Sequence, residues 1–181
     1  MTKKIGMLIP TRNRPNEIRK LLQSLVGQRI EQIVVCSSGD DLSSTISEFD
    51  DDLPIMHIVA EPGQINQKMV ALERLKGDLD WVIFSDDDVY YPRDFLLRLN
   101  NFLETQKSSN LLGIGFQIHS KTTLKNNFFR FVFCSLFRIQ TGKPGSVQRT
   151  GECISYVHYD STIETEWLNG ASVWRFSEVL K

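Results

Sequence analysis

Three consecutive carboxylates, Asp86, Asp87 and Asp88, stand directly behind the apolar run Trp81-Val82-Ile83-Phe84 and Ser85. Adjacent aspartates repel one another unless positive charge sits among them. A divalent cation answers that need. Hard cations such as Mg²⁺ take one or two protein carboxylates and fill their other positions with phosphate oxygens and water. The plainer use of such a turn is to cap the helix that Pro92 opens, with Asp88 or a neighbour as the cap, but capping needs one carboxylate rather than three. The run itself, with Val, Ile and two aromatics, reads as a strand covered on both faces, as in a parallel sheet. Ligands of open α/β sheets collect just outside the carboxyl ends of the strands, where these acids fall. The expectation is therefore a divalent metal held at a sheet edge.

The elements that must position this turn lie on either side of it. Residues 5–9 form a short apolar strand stopped by Pro10. A helix begins at Pro15 with Ile18, Leu21, Leu22, Leu25 and Val26 on one stripe and Gly27 near its end. Residues 32–36 give a second strand, Ser37-Ser38-Gly39-Asp40-Asp41 a turn, and residues 42–49 a short polar helix. The acidic run Asp50-Asp51-Asp52 reads as a solvated loop, and residues 55–59 as a third strand. A helix over residues 65–76 is expected to turn Ile65, Met69, Leu72 and Leu75 inward. After Pro92, the stripe Phe95, Leu96, Leu99, Phe102 and Leu103 marks another amphipathic helix. Four strands alternating with helices predict an α/β fold with a parallel sheet and right-handed crossovers. Beyond it, residues 111–118 resemble a strand, with Gly113 and Gly115 allowing close backbone approach. Residues 121–143 crowd Phe128, Phe129, Phe131, Val132, Phe133, Leu136, Phe137 and Ile139 between Lys125, Arg130, Arg138 and Lys143. That pattern suits either a peripheral membrane contact or a helix buried against the sheet. Residues 142–151 read as a loop, and the chain closes through Glu166-Trp167-Leu168-Asn169-Gly170-Ala171 to Arg175.

Composition limits the function classes. The chain has 181 residues, enough for one domain with a sizeable core; 41% are hydrophobic and 24% charged, as in ordinary globular proteins. A formal charge of −1 gives no reason to expect a nucleic-acid partner. Cys36, Cys134 and Cys153 are odd in number and lack CxxC spacing, so neither a disulfide framework nor a zinc site is expected. Lys3-Lys4 leads into a short strand and a proline, unlike a secretory leader, and no stretch approaches transmembrane length. A cytoplasmic protein is expected, with residues 121–143 offering a peripheral contact at the inner face of the membrane.

The motifs now on the page resemble those of nucleotide-sugar glycosyltransferases of family 2. The opening Ile9-Pro10-Thr11-Arg12-Asn13-Arg14 is similar to theirs, and the likeness continues through Gly63, Lys68, Lys76-Gly77-Asp78, the "DXD" motif Asp86-Asp87-Asp88 and Pro92. Glu166-Trp167-Leu168-Asn169-Gly170-Ala171 with Arg175 resembles the acceptor-side "W-x-x-G-A" segment. The resemblance implies a GT-A (Rossmann-like), mostly parallel sheet flanked by helices, with a smaller mixed acceptor-side region. It implies a single domain over residues 1–181, with a donor half at 1–105 and a partial acceptor half at 106–181. The implied reaction moves a sugar, with inversion, from a nucleoside diphosphate to a hydroxyl of a carbohydrate or lipid-linked acceptor, in glycan or cell-envelope polysaccharide synthesis.

By the same resemblance, Mn²⁺ or Mg²⁺ binds Asp88 directly, with Asp86 on the ribose or reaching the metal through water. A cation so placed would stabilise the leaving diphosphate as a Lewis acid. Pro10, Thr11, Arg14, Asp86 and Asp87 would line the donor pocket. Lys68, where the family often has Arg, would pair with a phosphate, although a solvated helix lysine fits the sequence equally well. Arg12 and Arg14 also suit plain surface charges beside a helix start. Two departures stand out. Where the family's second strand ends in aspartates that hold the base, this chain has Cys36-Ser37-Ser38, leaving Ser38 or Asp40 as substitutes. The family's downstream acidic pair is absent before Lys181, so the chain looks C-terminally truncated, and Glu166 is the remaining candidate for general base.

Other classes fit less well. A haloacid-dehalogenase-type phosphatase expects Thr or Val where Tyr90 stands, and a nucleotidyltransferase expects a glycine-rich loop where Pro10-Thr11-Arg12-Asn13 stands. A nucleotide-sugar-binding remnant without turnover is the non-enzyme alternative.

Overall fold

The computed structural model describes residues 2–75, 77–106, 111–116, 143, 145–147, 153, 162–168 and 170–179. Its strands are β1 (Ile5–Arg12), β2 (Gln32–Ser38), β3 (Ile55–Val59), β4 (Trp81–Phe84), β5 (Gly113–Gly115) and β6 (Ser172–Arg175). They form one sheet in the order β3-β2-β1-β4-β6-β5. The first four are parallel, as expected from the alternation of strand and helix, whereas β6 runs antiparallel to both β4 and β5. The helices are α1 (Pro15–Leu25), α2 (Ser43–Ser47), α3 (Gln64–Arg74), α4 (Phe95–Thr105) and α5 (Phe176–Val179). Contacts divide the chain into two compact units, one of Met1–Gly115 with Gly170–Lys181 and one of Phe116–Asn169. The aromatic and basic segment 121–142, its proposed membrane contact or buried helix, Lys76 of the family-like Lys76-Gly77-Asp78, and the far end of the 111–118 strand lie outside the described residues.

Side-chain alternation builds a two-sided core. Leu8, Val34, Cys36 and Val82 cluster with Ala71, Leu72 and Leu75 at α3 and with Phe176 of α5. The alternate residues Met7, Ile9, Ile33, Val35 and Ile83 point the other way and are also fully buried. Right-handed crossovers explain why both faces are covered. The steps β1→β2→β3 move one way along the sheet and place α1 and α2 on one face. The return β3→β4 places α3 on the other.

Three expectations are corrected. β1 does not stop at Pro10 but continues to Arg12, paired with β2 throughout. Pairing with β4 ends at Leu8↔Phe84, followed by Ser85 N–H donating to the Leu8 carbonyl at 3.0 Å. Pro10, two residues beyond Leu8, turns its nitrogen to the same side, where β4 has ended and no partner needs an N–H. β2 likewise reaches Ser38, so Ser37 and Ser38 are strand residues rather than a turn. In α3, Leu72 and Leu75 face inward, but Ile65 and Met69 are exposed, and Gln67 and Ala71 are buried in their place. The Gln67 amide donates to the carbonyls of Thr11 at 2.7 Å and Cys36 at 2.8 Å. Those hydrogen bonds satisfy buried backbone acceptors at the strand ends and rotate the helix away from its most apolar stripe.

Candidate active site

β1 and β4 part beyond Leu8 and Phe84, and the strand order reverses between them, so the crevice opens at a topological switch point. The three aspartates enter it from the end of β4 and face different partners. Asp87 is buried, and its carboxylate accepts from Thr11 Oγ1 at 2.7 Å and Arg14 Nη1 at 2.9 Å, which ties β4 to the end of β1 and the start of α1. Asp86 accepts from Gln64 Nε2 at 3.2 Å and lies 3.7 Å from Lys68 Nζ, both on α3. The Asp88 side chain is 59% exposed and meets Arg14 Nη1 at 3.5 Å. The positive charge that three carboxylates require thus comes in part from the chain itself. Asp87, then Asp88, raise the pKa of the Arg14 guanidinium above its ordinary value.

A buried network fixes the turn from behind. Tyr91 donates its hydroxyl to Ser85 Oγ at 2.9 Å, Ser85 Oγ donates to the Asp86 carbonyl at 3.0 Å, and the Tyr91 N–H donates to Ser24 Oγ at 3.1 Å. Burial pushes the Tyr91 phenol up to about 12, so it stays a donor at any working pH. Phe95, its ring centroid 4.4 Å from that of Tyr91, closes the apolar side. No aspartate caps α4, contrary to the capping use of this turn. Gln28 does so from beyond α1, accepting from the Leu96 N–H at 3.0 Å and donating to the Pro92 carbonyl at 3.0 Å.

Gly170 completes this side of the crevice. A Cβ built there would overlap the Asp86 carboxylate, so any other residue would have to displace that side chain from its present position.

The other expected residues are placed as follows. Pro10 is buried in β1, and Arg12 is exposed at its end. Ser38 is buried at the end of β2, paired in register with Arg12, and its hydroxyl has no hydrogen-bond partner among the described residues. The Asp40 N–H donates to Asn13 Oδ1 at 2.9 Å, which ties the loops after β1 and β2 together. Asn13 holds a left-handed backbone, φ 54°, for this contact. Glu166 belongs to the second unit, where its carboxylate accepts from the Val147 N–H at 2.7 Å. Arg175 pairs with Trp81 at the start of β4, the opposite end of that strand from the aspartates, with its guanidinium 5.7 Å from the Trp81 ring centroid.

Sequence reasoning missed Gln64, Gln67 and Tyr91, because amides and a tyrosine inside helical or turn stretches give no periodic signal. It also missed Ser37 Oγ, 2.8 Å from His57 Nε2 across β2 and β3. Burial lowers the His57 pKa, against a smaller opposing effect of Asp41.

The donor set suits a hard divalent cation. Asp88 offers exposed carboxylate oxygen, and Asp86 stands two residues before it. Among the described residues no group of three or more His, Cys, Asp or Glu side chains forms a complete metal cage. No helix among the described residues is long and apolar enough to cross a membrane.

A family model described as glycosyl transferase family 2 matches residues 7–156. No curated protein matches the chain. Among solved structures, TarS 1–349 of S. aureus is similar at a TM-score of 0.64 and 18% identity, over 98% of this chain and 48% of that one. Glucosyl-3-phosphoglycerate synthase of Mycobacterium tuberculosis, in complex with Mn²⁺, UDP-glucose and phosphoglyceric acid, is similar at 0.57 and 17%, over 97% and 57%. The mannosyltransferase PcManGT of Pyrobaculum calidifontis, in complex with GDP-Man and Mn²⁺, is similar at 0.53 and 20%, over 64% and 35%. The likeness extends to the fold, which is GT-A. The chain spans about half the length of the first two of these proteins.

Proposed function

Since this chain belongs to glycosyl transferase family 2, we propose that its crevice binds a nucleoside diphosphate sugar and transfers the sugar to an acceptor hydroxyl. The observation that carries this reading is the division of labour among the aspartates. Asp87 is spent inside the protein on Thr11 and Arg14, Asp86 is held beside Lys68, and Asp88 is left exposed at the crevice. Similar proteins bound to GDP-Man or UDP-glucose together with Mn²⁺ support the ligand class.

Asp88, with Asp86 two residues before it, would hold Mn²⁺ or Mg²⁺, which when bound supplies Lewis-acid stabilisation of the leaving diphosphate. Lys68 and Arg14 add positive charge on opposite sides, from α3 and from the start of α1, where negative charge gathers as the anomeric C–O bond breaks. Pro10 and Thr11 shape the wall at the end of β1. The unpartnered hydroxyl of Ser38 offers a donor and an acceptor to the nucleoside, in place of a carboxylate. In the transfer step the acceptor oxygen attacks the anomeric carbon, the bond to the diphosphate breaks with inversion, and the hydroxyl proton passes to a general base, the role for which the family resemblance leaves Glu166 as candidate. Residues 1–105 form the donor half and 106–181 the acceptor half in this scheme, within glycan or envelope polysaccharide synthesis.

The test is calorimetric titration of the chain with UDP and GDP, with and without Mn²⁺. Metal-dependent binding that Asp88→Ala abolishes is expected, and unchanged affinity in that variant would refute the assignment of Asp88. One observation favours a donor-binding role without turnover: the Glu166 carboxylate is engaged by the Val147 amide. Donor binding with no sugar transfer to any supplied acceptor would decide for that reading.

A further inference from the structure

A single guanidinium nitrogen, Nη1 of Arg14, serves two carboxylates, at 2.9 Å from Asp87 Oδ1 and 3.5 Å from Asp88 Oδ2. The contacts are unequal in kind as well as length. Asp87 is buried and also bonded to Thr11, whereas Asp88 is mostly exposed and its contact with Arg14 is at the limit of a hydrogen bond. Arg14 stands just before α1, its side chain makes no capping bond, and half of it is exposed. It can therefore turn without unfolding anything.

We propose that Arg14 is a resident counter-cation of Asp88, which opposes a divalent cation arriving alone and favours one arriving with a nucleoside diphosphate. The inference rests on the nucleotide-sugar reading and deepens it. The charges at the crevice set the direction. Asp86, Asp87 and Asp88 carry three negative charges, against one positive charge each on Arg14 and Lys68. A divalent cation on Asp88 reverses the sign of that local sum and faces a guanidinium drawn to the same carboxylate, so like charges are brought together. A diphosphate adds negative charge, and the planar guanidinium then has a second anionic partner, two of whose phosphate oxygens it can bond through two N–H groups while remaining on Asp87. Metal and nucleotide consequently help each other bind, and by linkage each raises the affinity for the other by the same factor.

The experiment measures Mn²⁺ binding alone, then UDP and GDP binding at fixed Mn²⁺, for the wild-type chain, Arg14→Gln, Arg14→Lys and Asp88→Ala. Arg14→Gln should bind Mn²⁺ alone roughly three- to tenfold more tightly, because a like charge near the ligand is gone. It should bind the nucleoside diphosphate roughly tenfold more weakly, because a charge-assisted contact is lost. Arg14→Lys, which keeps the charge, should stay near wild type for Mn²⁺. Opposite signs in one variant separate the proposal from a folding defect, which lowers both affinities. Unchanged or weaker Mn²⁺ binding in Arg14→Gln overturns the proposal while leaving an Asp88 site intact. Mn²⁺ binding that Asp88→Ala leaves untouched, with or without nucleotide, overturns the metal assignment and this inference together.

Discussion

Replacing Asp87 with alanine removes the acceptor shared by Thr11 and Arg14 and leaves a buried hydroxyl without its partner. The expected cost is about 1–3 kcal/mol of folding stability, read by chemical denaturation. Asp88→Ala, at a largely exposed side chain, should stay within about 0.5 kcal/mol of wild type while losing metal-dependent nucleotide binding. Equal losses of stability in the two variants would contradict the separation of roles. The cluster of carboxylates was legible in the sequence, but its internal division was not. Three identical side chains in a row give no hint that the middle one turns inward, and only the approach of Thr11 and Arg14 from β1 settles it. Tyr91 gives a pH test at the same scale. Its folded phenol titrates near 12 against an ordinary 10, so the unfolded chain loses this proton first as pH rises. Stability is complete below pH 10 and falls by about 3 kcal/mol as pH climbs towards 12. Tyr91→Phe should remove that alkaline slope, and an unchanged slope would show that Tyr91 is not its source.

At the scale of elements, α3 shows where periodicity misleads. Its apolar residues suggested an inner face containing Ile65 and Met69, yet a buried amide decided the orientation. Gln67 satisfies two carbonyls at the carboxyl ends of β1 and β2, and hydrophobic patterning has no means of registering a polar anchor. Gln67→Ala should therefore destabilise the chain by about 2 kcal/mol, whereas Ile65→Ser and Met69→Ser should each change it by less than about 0.5 kcal/mol. Thermal unfolding of the three variants checks the order, and a larger loss for Ile65→Ser would restore the apolar face. The parallel strands were readable because β1, β2 and β4 are nearly continuous buried runs and β3, half-buried at the sheet edge, is a short apolar run. β6 was not read as a strand, since four residues ending in Trp174 and Arg175 carry neither alternation nor a hairpin signal. Its pairing depends on β4, far away in sequence.

For the whole molecule, β6 makes β4 an interior strand, with β1 on one side and β6 on the other. Removing residues 170–181 should bare one edge of Trp81, Val82 and Ile83 and lead to concentration-dependent association, measurable by light scattering. A monodisperse, cooperatively unfolding truncated chain would contradict this. The same connectivity also has a consequence in time. As the polypeptide leaves the ribosome, β1, β2, β3 and β4 emerge in order, but the strand that closes β4 follows only after all of residues 116–169. At roughly 5–20 residues per second, the nascent sheet waits several seconds for its partner. Gly170 arrives with that strand, so the Asp86 side of the crevice takes its final shape only after residues 116–169 have been made, well after the aspartates themselves. Nucleotide-binding competence should therefore lag the burial of the core beneath it.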